Sequence, residues 1–321
     1  MKKIFSVLVF LTISQISFAG SLDYKGLEKL SKNNTFMDGE GIPYPDDKIT
    51  DKKNTLLIIF NHGSSADAKR DHCSKKAKVG KIGSGGLVPA LASLHNKKIN
   101  NLEIKIYRLC SGVVGFPVAT SVKYYDQFKA KGKIELVDEY KQLKRQNIII
   151  NQVEEFKNSG FENIVLAGWS AGGWASLNLQ SRFPDKVKGA IAFNPAFAGP
   201  KREWSKQYPQ WGEFRKHQIN IIKSANSLKG ILFSHAKDNF ETPETLAFFK
   251  EFDGLTFIDY SEVDCDKGHW MPRKKCFTDY VEKNNYLVTF LENIFYQINN
   301  EKNIIGFAFT SFFLYGICCR N

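Results

Sequence analysis

The sequence predicts an α/β fold, in which a mainly parallel, doubly wound sheet is covered by helices on both faces. The first observation is a series of short, almost wholly apolar runs, which are typical of strands buried on both faces. The second is that helical patterns separate these runs, as the connections between parallel strands require. The third is that polar residues follow several runs directly, at the carboxyl ends of strands where such sheets bind ligands.

The predicted elements occupy residues 55–298, which we interpret as the main domain. Strands are predicted at residues 55–60, 103–109, 164–167, 187–193, 230–234 and 255–260. Helices are predicted at residues 87–94, 135–158, 243–252 and 277–298, and another begins near Trp174. Three long segments interrupt the alternation, at residues 66–85, 111–133 and 194–228, and long loops in compact domains usually border a site. The last segment is aromatic and basic, and is either a small cap insert over a pocket or an excursion packed on the core.

The most informative stretch is residues 163–173. Its first part is a short apolar run, and Gly168-Trp169-Ser170-Ala171-Gly172 follows before a helical pattern begins. This is the G-x-S-x-G pattern of a nucleophile elbow, in which a sharp strand-to-helix turn holds a serine hydroxyl clear of the sheet. Small residues are needed around the serine because side chains at Gly168 and Gly172 would collide with the turn. The sequence therefore predicts Ser170 as a nucleophile.

Residues 1–19 have the pattern of a secretory signal peptide. Lys2 and Lys3 precede an apolar run at residues 4–13, which is too short to span a bilayer, and Ser17-Phe18-Ala19 is a small-x-small cleavage site. We expect a mature chain that begins at Gly20 and is secreted or periplasmic; the alternative is an uncleaved anchor. Residues 20–54 are polar and rich in turn formers, and we expect an irregular N-terminal segment there.

Residues 299–321 form an apolar C-terminal tail. Residues 304–319 are almost continuously apolar, but this is shorter than the ~20 residues that a membrane-spanning helix needs. The pattern leaves three interpretations open: a packing helix, a removed signal, or a segment that gives weak membrane association.

The chain has 321 residues and a formal net charge of +12. The lysines are scattered and no nucleic-acid recognition motif accompanies them, so we expect no nucleic-acid partner. Positive charge could favour an anionic substrate or an anionic envelope surface, but scattered lysines in a chain also rich in Asn and Ile fit a general compositional bias better.

Export would place the cysteines in an oxidising compartment, where disulfides form. Cys73, Cys110, Cys265 and Cys276 lie in the main domain, and four cysteines allow three pairings. We favour Cys73–Cys110 and Cys265–Cys276 because each pair is close in sequence, although free buried thiols are the alternative. The cysteines and histidines do not have the spacing of a zinc site, so we expect no metal.

These features together resemble the α/β-hydrolases, and within them esterases similar to dienelactone hydrolase and to polyester depolymerases. The resemblance covers residues 55–298. It rests on a strand that ends in His62-Gly63, the elbow at Ser170, Asp238 after a late strand, and Gly268-His269 after the last strand. The order Ser, Asp, His along the chain is the one that this superfamily uses. The resemblance implies an α/β-hydrolase fold and a serine hydrolase that needs no cofactor.

The chemistry of such a site assigns a role to each residue. Ser170 is the nucleophile, His269 the base that activates it, and Asp238 the acid that orients the imidazole. One oxyanion donor is the backbone N–H of Ala171, and the resemblance puts the second at Ser64. Other assignments stay open, since His62 or His235 could replace His269, and Asp264 or Asp266 could replace Asp238.

The sequence thus predicts an exported serine hydrolase that cleaves a small-molecule or polymeric carboxylic ester through an acyl-enzyme intermediate. One alternative is a peptidase or thioesterase with the same triad. Another is a non-catalytic binding protein that keeps the fold.

Overall fold

A computed structural model describes residues 36–37, 43–44, 49–63, 87–109, 141–197, 211–264 and 268–295 of this chain. Its nine described strands are β1 (Phe36–Met37), β2 (Pro43–Tyr44), β3 (Thr55–Asn61), β4 (Lys98–Ile99), β5 (Leu102–Leu109), β6 (Asn163–Trp169), β7 (Gly189–Phe193), β8 (Gly230–Ser234) and β9 (Leu255–Asp259). They form one sheet in the order β2-β1-β5-β3-β6-β7-β8-β9, with β4 beside β5.

The centre of the sheet is wholly parallel. Strands β5, β3, β6, β7, β8 and β9 all run in the same direction, whereas the two-residue strands β1, β2 and β4 pair antiparallel. The chain moves outward from β3 to β5 and then crosses back to β6 on the other side of β3. The reversal makes the carboxyl ends of β3 and β6 a topological switch point, where ligands bind in open α/β sheets. The predicted mainly parallel, doubly wound sheet is confirmed.

Five described helices have assigned bounds: α1 (Pro89–Ala92), α2 (Lys141–Asn158), α3 (Ala171–Arg182), α4 (Trp211–Lys223) and α5 (Lys275–Lys283). Residues 286–295 are also helical, and two 3₁₀ helices span Ala247–Glu251 and Gly268–Arg273. Alternate residues of the buried strands face opposite layers. On β3, for example, Leu56 and Ile58 pack in the core with α1 and α5, whereas Leu57 and Ile59 pack in the core with α2 and α3.

Three expectations about the elements need correction. The predicted helix at residues 243–252 is only the 3₁₀ helix Ala247–Glu251, because its N–H groups bond three residues back, as from Phe249 to the Leu246 carbonyl, and not four. The predicted helix at residues 277–298 is interrupted after α5, where Asn285 has a φ of 52°, a left-handed conformation that ends helices. The segment 20–54, expected to be irregular, supplies β1 and β2.

Several other predictions fall outside the described residues. These are the signal peptide 1–19, the segments 66–85 and 111–133, the tail 299–321, and Ser64, Cys73, Cys110, Cys265 and Asp266. Cys276 lies half-buried in the first turn of α5, but the other three cysteines of the main domain lie outside the described residues, so the disulfide pairing stays a prediction. No helix within the described ranges is long and apolar enough to cross a membrane.

The described part of the segment 194–228 belongs to the layer of helices on one face of the sheet. Ile222 of α4 is fully buried in a core that includes Trp174 of α3. Gln218 of α4 accepts hydrogen bonds from Trp174 and Asn178 on α3. Residues 198–210 lie outside the described ranges, so the cap insert stays a prediction.

The junction between β3 and α3 is too close for any side chain at Gly172. A Cβ atom there would lie 2.0 Å from the carbonyl oxygen of Asn61, and one at Gly168 would lie 2.3 Å from the Gly172 carbonyl carbon. The helix that follows the elbow can therefore approach the sheet only because both positions are glycine.

We expect Gly172→Ala to lower the free energy of unfolding by about 3 kcal/mol, because the added methyl group must push α3 away from β3. Urea unfolding measures the change. Gly173→Ala is the matched control, since its Cβ would come no closer than 3.0 Å to another atom, and its cost should be smaller. A Gly172→Ala protein as stable as the wild type would contradict this packing argument.

Candidate active site

Ser170 occupies the turn between β6 and α3 in a strained backbone conformation. Its φ is 57° and its ψ is −126°, which a residue with a side chain rarely adopts. Hydrogen bonds hold the turn: the Ser170 N–H donates to the Phe193 carbonyl at 3.0 Å, and the Ser170 carbonyl accepts from Trp174 and Ala196. The hydroxyl makes no capping bond to α3, so it is not committed to the helix start. This is the geometry that the elbow pattern predicts.

His269 and Asp238 come together from two loops at the same edge of the sheet. The Nδ1 atom of His269 lies 2.7 Å from Oδ2 of Asp238, and both side chains are buried. The other carboxylate oxygen, Oδ1, accepts from the Phe240 N–H at 2.8 Å. Because a carboxylate can only accept a hydrogen bond, Nδ1 carries the proton of the imidazole. Nε2 is then the nitrogen that can take up a proton. Their roles in catalysis stay predictions.

Trp169 joins the loop of His269 to the elbow. Its indole Nε1–H donates to the His269 carbonyl at 3.0 Å, and its ring centroid lies 5.0 Å from that of the imidazole. A Cβ atom at Gly63 would lie only 2.5 Å from the indole, so Gly63 passes directly against the ring. The guanidinium carbon of Arg273 lies 4.1 Å from the indole centroid. This one buried side chain, at the end of β6, therefore contacts both the segment after β3 and the histidine loop.

A second set of contacts holds the histidine loop from the neighbouring strand ends. Tyr260 donates its hydroxyl to Asn194 at 2.7 Å, and Asn194 donates to the Gly268 carbonyl at 3.2 Å. Burial raises the pKa of Tyr260 well above its usual value, so the phenol remains a donor. Gly268 has a φ of 36°, and a Cβ there would lie 2.1 Å from the Lys237 carbonyl. The acid and histidine loops can touch only because this residue is glycine.

Of the two predicted oxyanion donors, the structure describes Ala171 but not Ser64. Ala171 is the first residue of α3, at the helix N-terminus, where free N–H groups favour negative charge. Ser64 lies outside the described residues, but Gly63 immediately before it does not. A Cβ built on Gly63 would be 3.2 Å from Cβ of Ser170, so this backbone segment runs directly past the predicted nucleophile.

The structure gives the competing histidines other partners. Nδ1 of His235 accepts from the Lys237 N–H at 2.9 Å, and its Nε2 donates to the Val263 carbonyl at 3.2 Å. Both nitrogens are thus engaged with backbone, and burial lowers the pKa of His235. His62 is buried, and its Nδ1 lies 2.7 Å from the carbonyl oxygen of Gly63. These contacts favour His269 as the base.

Among the rival acids, Asp264 is exposed and pairs with Lys237 at 3.0 Å. Asp266 lies outside the described residues. Asp238 is the described carboxylate that contacts His269.

The sequence did not reveal the roles of Asn194 and Phe240, or that Trp169 links the elbow to the histidine loop. Phe240 packs its ring 4.5 Å from the His269 ring, between centroids. The one available signal was position, because Trp169 and Asn194 each stand at the carboxyl end of a strand.

Comparisons with known proteins find only distant similarity. No family model matches the chain, and no curated protein matches it. Among solved structures, Est1E from Butyrivibrio proteoclasticus is 12% identical, with a TM-score of 0.44 over 75% of this chain and 91% of its own. Oligopeptidase B from Trypanosoma brucei is 14% identical, with a TM-score of 0.43 over 74% of this chain. A candidate dipeptidyl aminopeptidase IV from Bacteroides ovatus is 16% identical, with a TM-score of 0.46 over 75% of this chain.

The chain spans only about a third of the two peptidases, 34% and 31% respectively.

Because all of these similarities are distant, the assignment of the fold rests on the chain itself. The parallel sheet covered on both faces, the strand–serine–helix elbow and the order Ser170, Asp238, His269 are those of the α/β-hydrolase fold. The resemblance found in the sequence is therefore confirmed for the fold, and the activity that it implies stays a prediction.

The buried His235 predicts a pH dependence of stability. Its pKa is lowered in the folded protein, whereas in the unfolded chain it returns to about 6.5. The unfolded chain therefore binds the proton more readily, and stability falls as the pH drops from 7 to 5. Urea unfolding at pH 5, 6 and 7 should show a smaller decrease for His235→Gln than for the wild type. Equal decreases in the two proteins would contradict a buried neutral His235.

Proposed function

We propose that this protein is an exported serine hydrolase that cleaves carboxylic esters through an acyl-enzyme intermediate. The observation that carries the proposal is the buried His269–Asp238 pair, 2.7 Å apart, at the strand ends where Ser170 occupies a nucleophile elbow. A serine hydroxyl is a poor nucleophile on its own, and a base oriented by a carboxylate is what activates it.

Each residue performs one step of the proposed reaction. The Nε2 atom of His269 takes the proton from the Ser170 hydroxyl as its oxygen attacks the ester carbonyl. Asp238 keeps the proton on Nδ1 and stabilises the imidazolium that forms. The backbone N–H of Ala171 donates to the developing oxyanion. His269 then protonates the departing alcohol, and water repeats the sequence to release the acid.

The choice of ester and the export of the protein rest on sequence alone. The ester preference comes from the resemblance to dienelactone-hydrolase-like and polyester-depolymerase-like enzymes, and export from the signal pattern in residues 1–19. The segments expected to shape the pocket, residues 66–85 and 111–133, lie outside the described ranges, so a small or a polymeric ester fits the proposal equally.

Removing the nucleophile is the direct test. We expect Ser170→Ala to lower turnover of p-nitrophenyl acetate by at least about 10³-fold and to abolish labelling by a fluorophosphonate. His269→Ala should lower kcat by about 10³-fold or more, whereas His217→Ala, on the exposed side of α4, should leave it unchanged.

Circular dichroism and urea unfolding establish that the variants are folded. Retained hydrolysis in a folded Ser170→Ala protein would end the proposal. Absence of both hydrolysis and labelling in the wild type would favour a binding protein that keeps the fold. Hydrolysis of a thioester or peptide substrate in preference to every ester of a chain-length series would move the proposal to those classes.

The Trp169 contacts predict a positioning effect. Trp169→Phe keeps an aromatic ring but removes the donor to the His269 carbonyl, so the imidazole loses one constraint. We expect kcat for p-nitrophenyl acetate to fall about tenfold with little change in KM, since the lost bond is worth about 1 kcal/mol or slightly more.

Trp174→Phe is the matched control for this substitution. Trp174 is also a buried tryptophan whose Nε1 donates to a side chain, Gln218 at 3.3 Å, but it lies under α4 and not against His269. Its replacement should cost comparable stability without the loss of kcat. Equal effects of the two substitutions on kcat would contradict a specific role for Trp169.

A further inference from the structure

We propose that Arg145 is a positioning residue for the oxyanion loop, the segment His62-Gly63 that leads to the predicted donor Ser64. It holds the His62 carbonyl and supplies a buried positive charge near the oxygen that becomes anionic during the reaction. The proposal rests on the serine hydrolase function proposed above, and it assigns work to a residue outside the triad and its backbone donors.

The geometry begins with one hydrogen bond. Arg145 lies on α2, is 1% exposed, and donates from Nη1 to the His62 carbonyl at 2.5 Å. That carbonyl and the Gly63 N–H belong to the same planar peptide and point in opposite directions. Holding the carbonyl on Arg145 therefore sets the orientation of the segment that passes Ser170, with the Gly63 Cβ position 3.2 Å from Cβ of Ser170.

The same helix contacts the other side of the site. Gln142, nearly one turn before Arg145, donates to the Ala171 carbonyl at 3.0 Å and is itself buried. Helix α2 thus binds one carbonyl on each of the two backbone segments that are expected to supply oxyanion donors. Two buried side chains on one helix, three residues apart, lie on the same face and can act together.

The charge of Arg145 is the second part of the proposal. Its Nε and Nη2 atoms are buried without a hydrogen-bond partner, and no carboxylate among the described residues pairs with it. Burial lowers the pKa of Arg145 to about 10, which still leaves the guanidinium charged at pH 7. A buried cation without a counter-ion is costly, and an apolar residue would fill the space more favourably.

Such a charge is useful where negative charge appears during the reaction. The ground-state ester is neutral, whereas its carbonyl oxygen becomes anionic in the transition state. A fixed cation in a site of low dielectric therefore favours the transition state over the bound substrate. It should increase kcat while leaving KM nearly unchanged.

The test compares Arg145→Met with Arg145→Lys on p-nitrophenyl acetate. Arg145→Met, which removes the charge and the donor, should lower kcat at least tenfold with KM within about twofold of the wild type. Arg145→Lys, which keeps the charge but not the fork of donors, should retain more of kcat than the Met variant. Gln146→Met is the control, because Gln146 is also buried on α2 but donates to Gln218, away from the loop.

An anionic transition-state analogue separates this role from a purely structural one. A boronic acid adds to the serine as a tetrahedral anion, so its inhibition constant should rise in Arg145→Met by about the same factor by which kcat falls. A Gln146→Met protein should bind the boronic acid as the wild type does.

The results also distinguish this inference from the proposed function. If the wild type hydrolyses the ester and Ser170→Ala does not, the triad stands whatever Arg145 does. Unchanged kcat in a folded Arg145→Met protein, or reduced kcat with unchanged affinity for the boronic acid, would then overturn the role of Arg145 alone. If Arg145→Met does not fold, the Arg145→Lys protein provides the test instead. A decrease of more than tenfold in its kcat, with unchanged affinity for the boronic acid, would overturn the role of Arg145.

Discussion

The backbone of Ser170 is the constraint on which the rest of the site depends. A residue with a side chain at φ 57° and ψ −126° costs on the order of 1–3 kcal/mol, and such a conformation persists only where its surroundings enforce it. Here the enforcement comes from the parallel sheet. The Ser170 N–H binds the Phe193 carbonyl at the end of β7, and α3 presses Gly172 against the Asn61 carbonyl at the end of β3. Three adjacent strands therefore maintain one strained turn.

The loops around this turn are held by side chains that bond to backbone. Trp169 binds the His269 carbonyl, Asn194 the Gly268 carbonyl, Gln142 the Ala171 carbonyl and Arg145 the His62 carbonyl. Bonds of this kind fix the path of a loop without occupying the side chains that react. All four supporting residues are buried, and they contact the backbone next to the predicted reactive residues.

The fold could be predicted because its signals are local. The run 230–234 is apolar and bounded by turn residues, and it is β8 in the structure. The elbow is also a local signal, because its turn requires glycine at positions 168 and 172. Ser170 could therefore be predicted as the nucleophile from its immediate neighbours. The helix expected at 243–252 is instead a 3₁₀ helix, in which N–H groups bond three residues back, and apolar spacing does not distinguish this winding from an α-helix.

The site was predictable as a set of residue types, but not as a set of contacts. Parallel topology puts the ends of β6, β8 and β9 at one edge, which is enough to expect Asp238 and His269 near Ser170. The direction of the Trp169 ring and the depth of Arg145 depend on packing between elements far apart in the chain. In the sequence, Arg145 is one basic residue among 45 on a predicted helix, with nothing local to distinguish it.

The burial of Arg145 shows how stability and chemistry can oppose each other in one position. An apolar side chain would pack in the same space without the cost of desolvating a charge. Removing the arginine, however, would also remove its hydrogen bond to the His62 carbonyl, beside the strained turn. The two costs act on the same loop with opposite sign, so net stability is a poor measure of what this residue contributes. The difference between neutral substrate and anionic transition state is the better measure, because a fixed charge acts on only one of them.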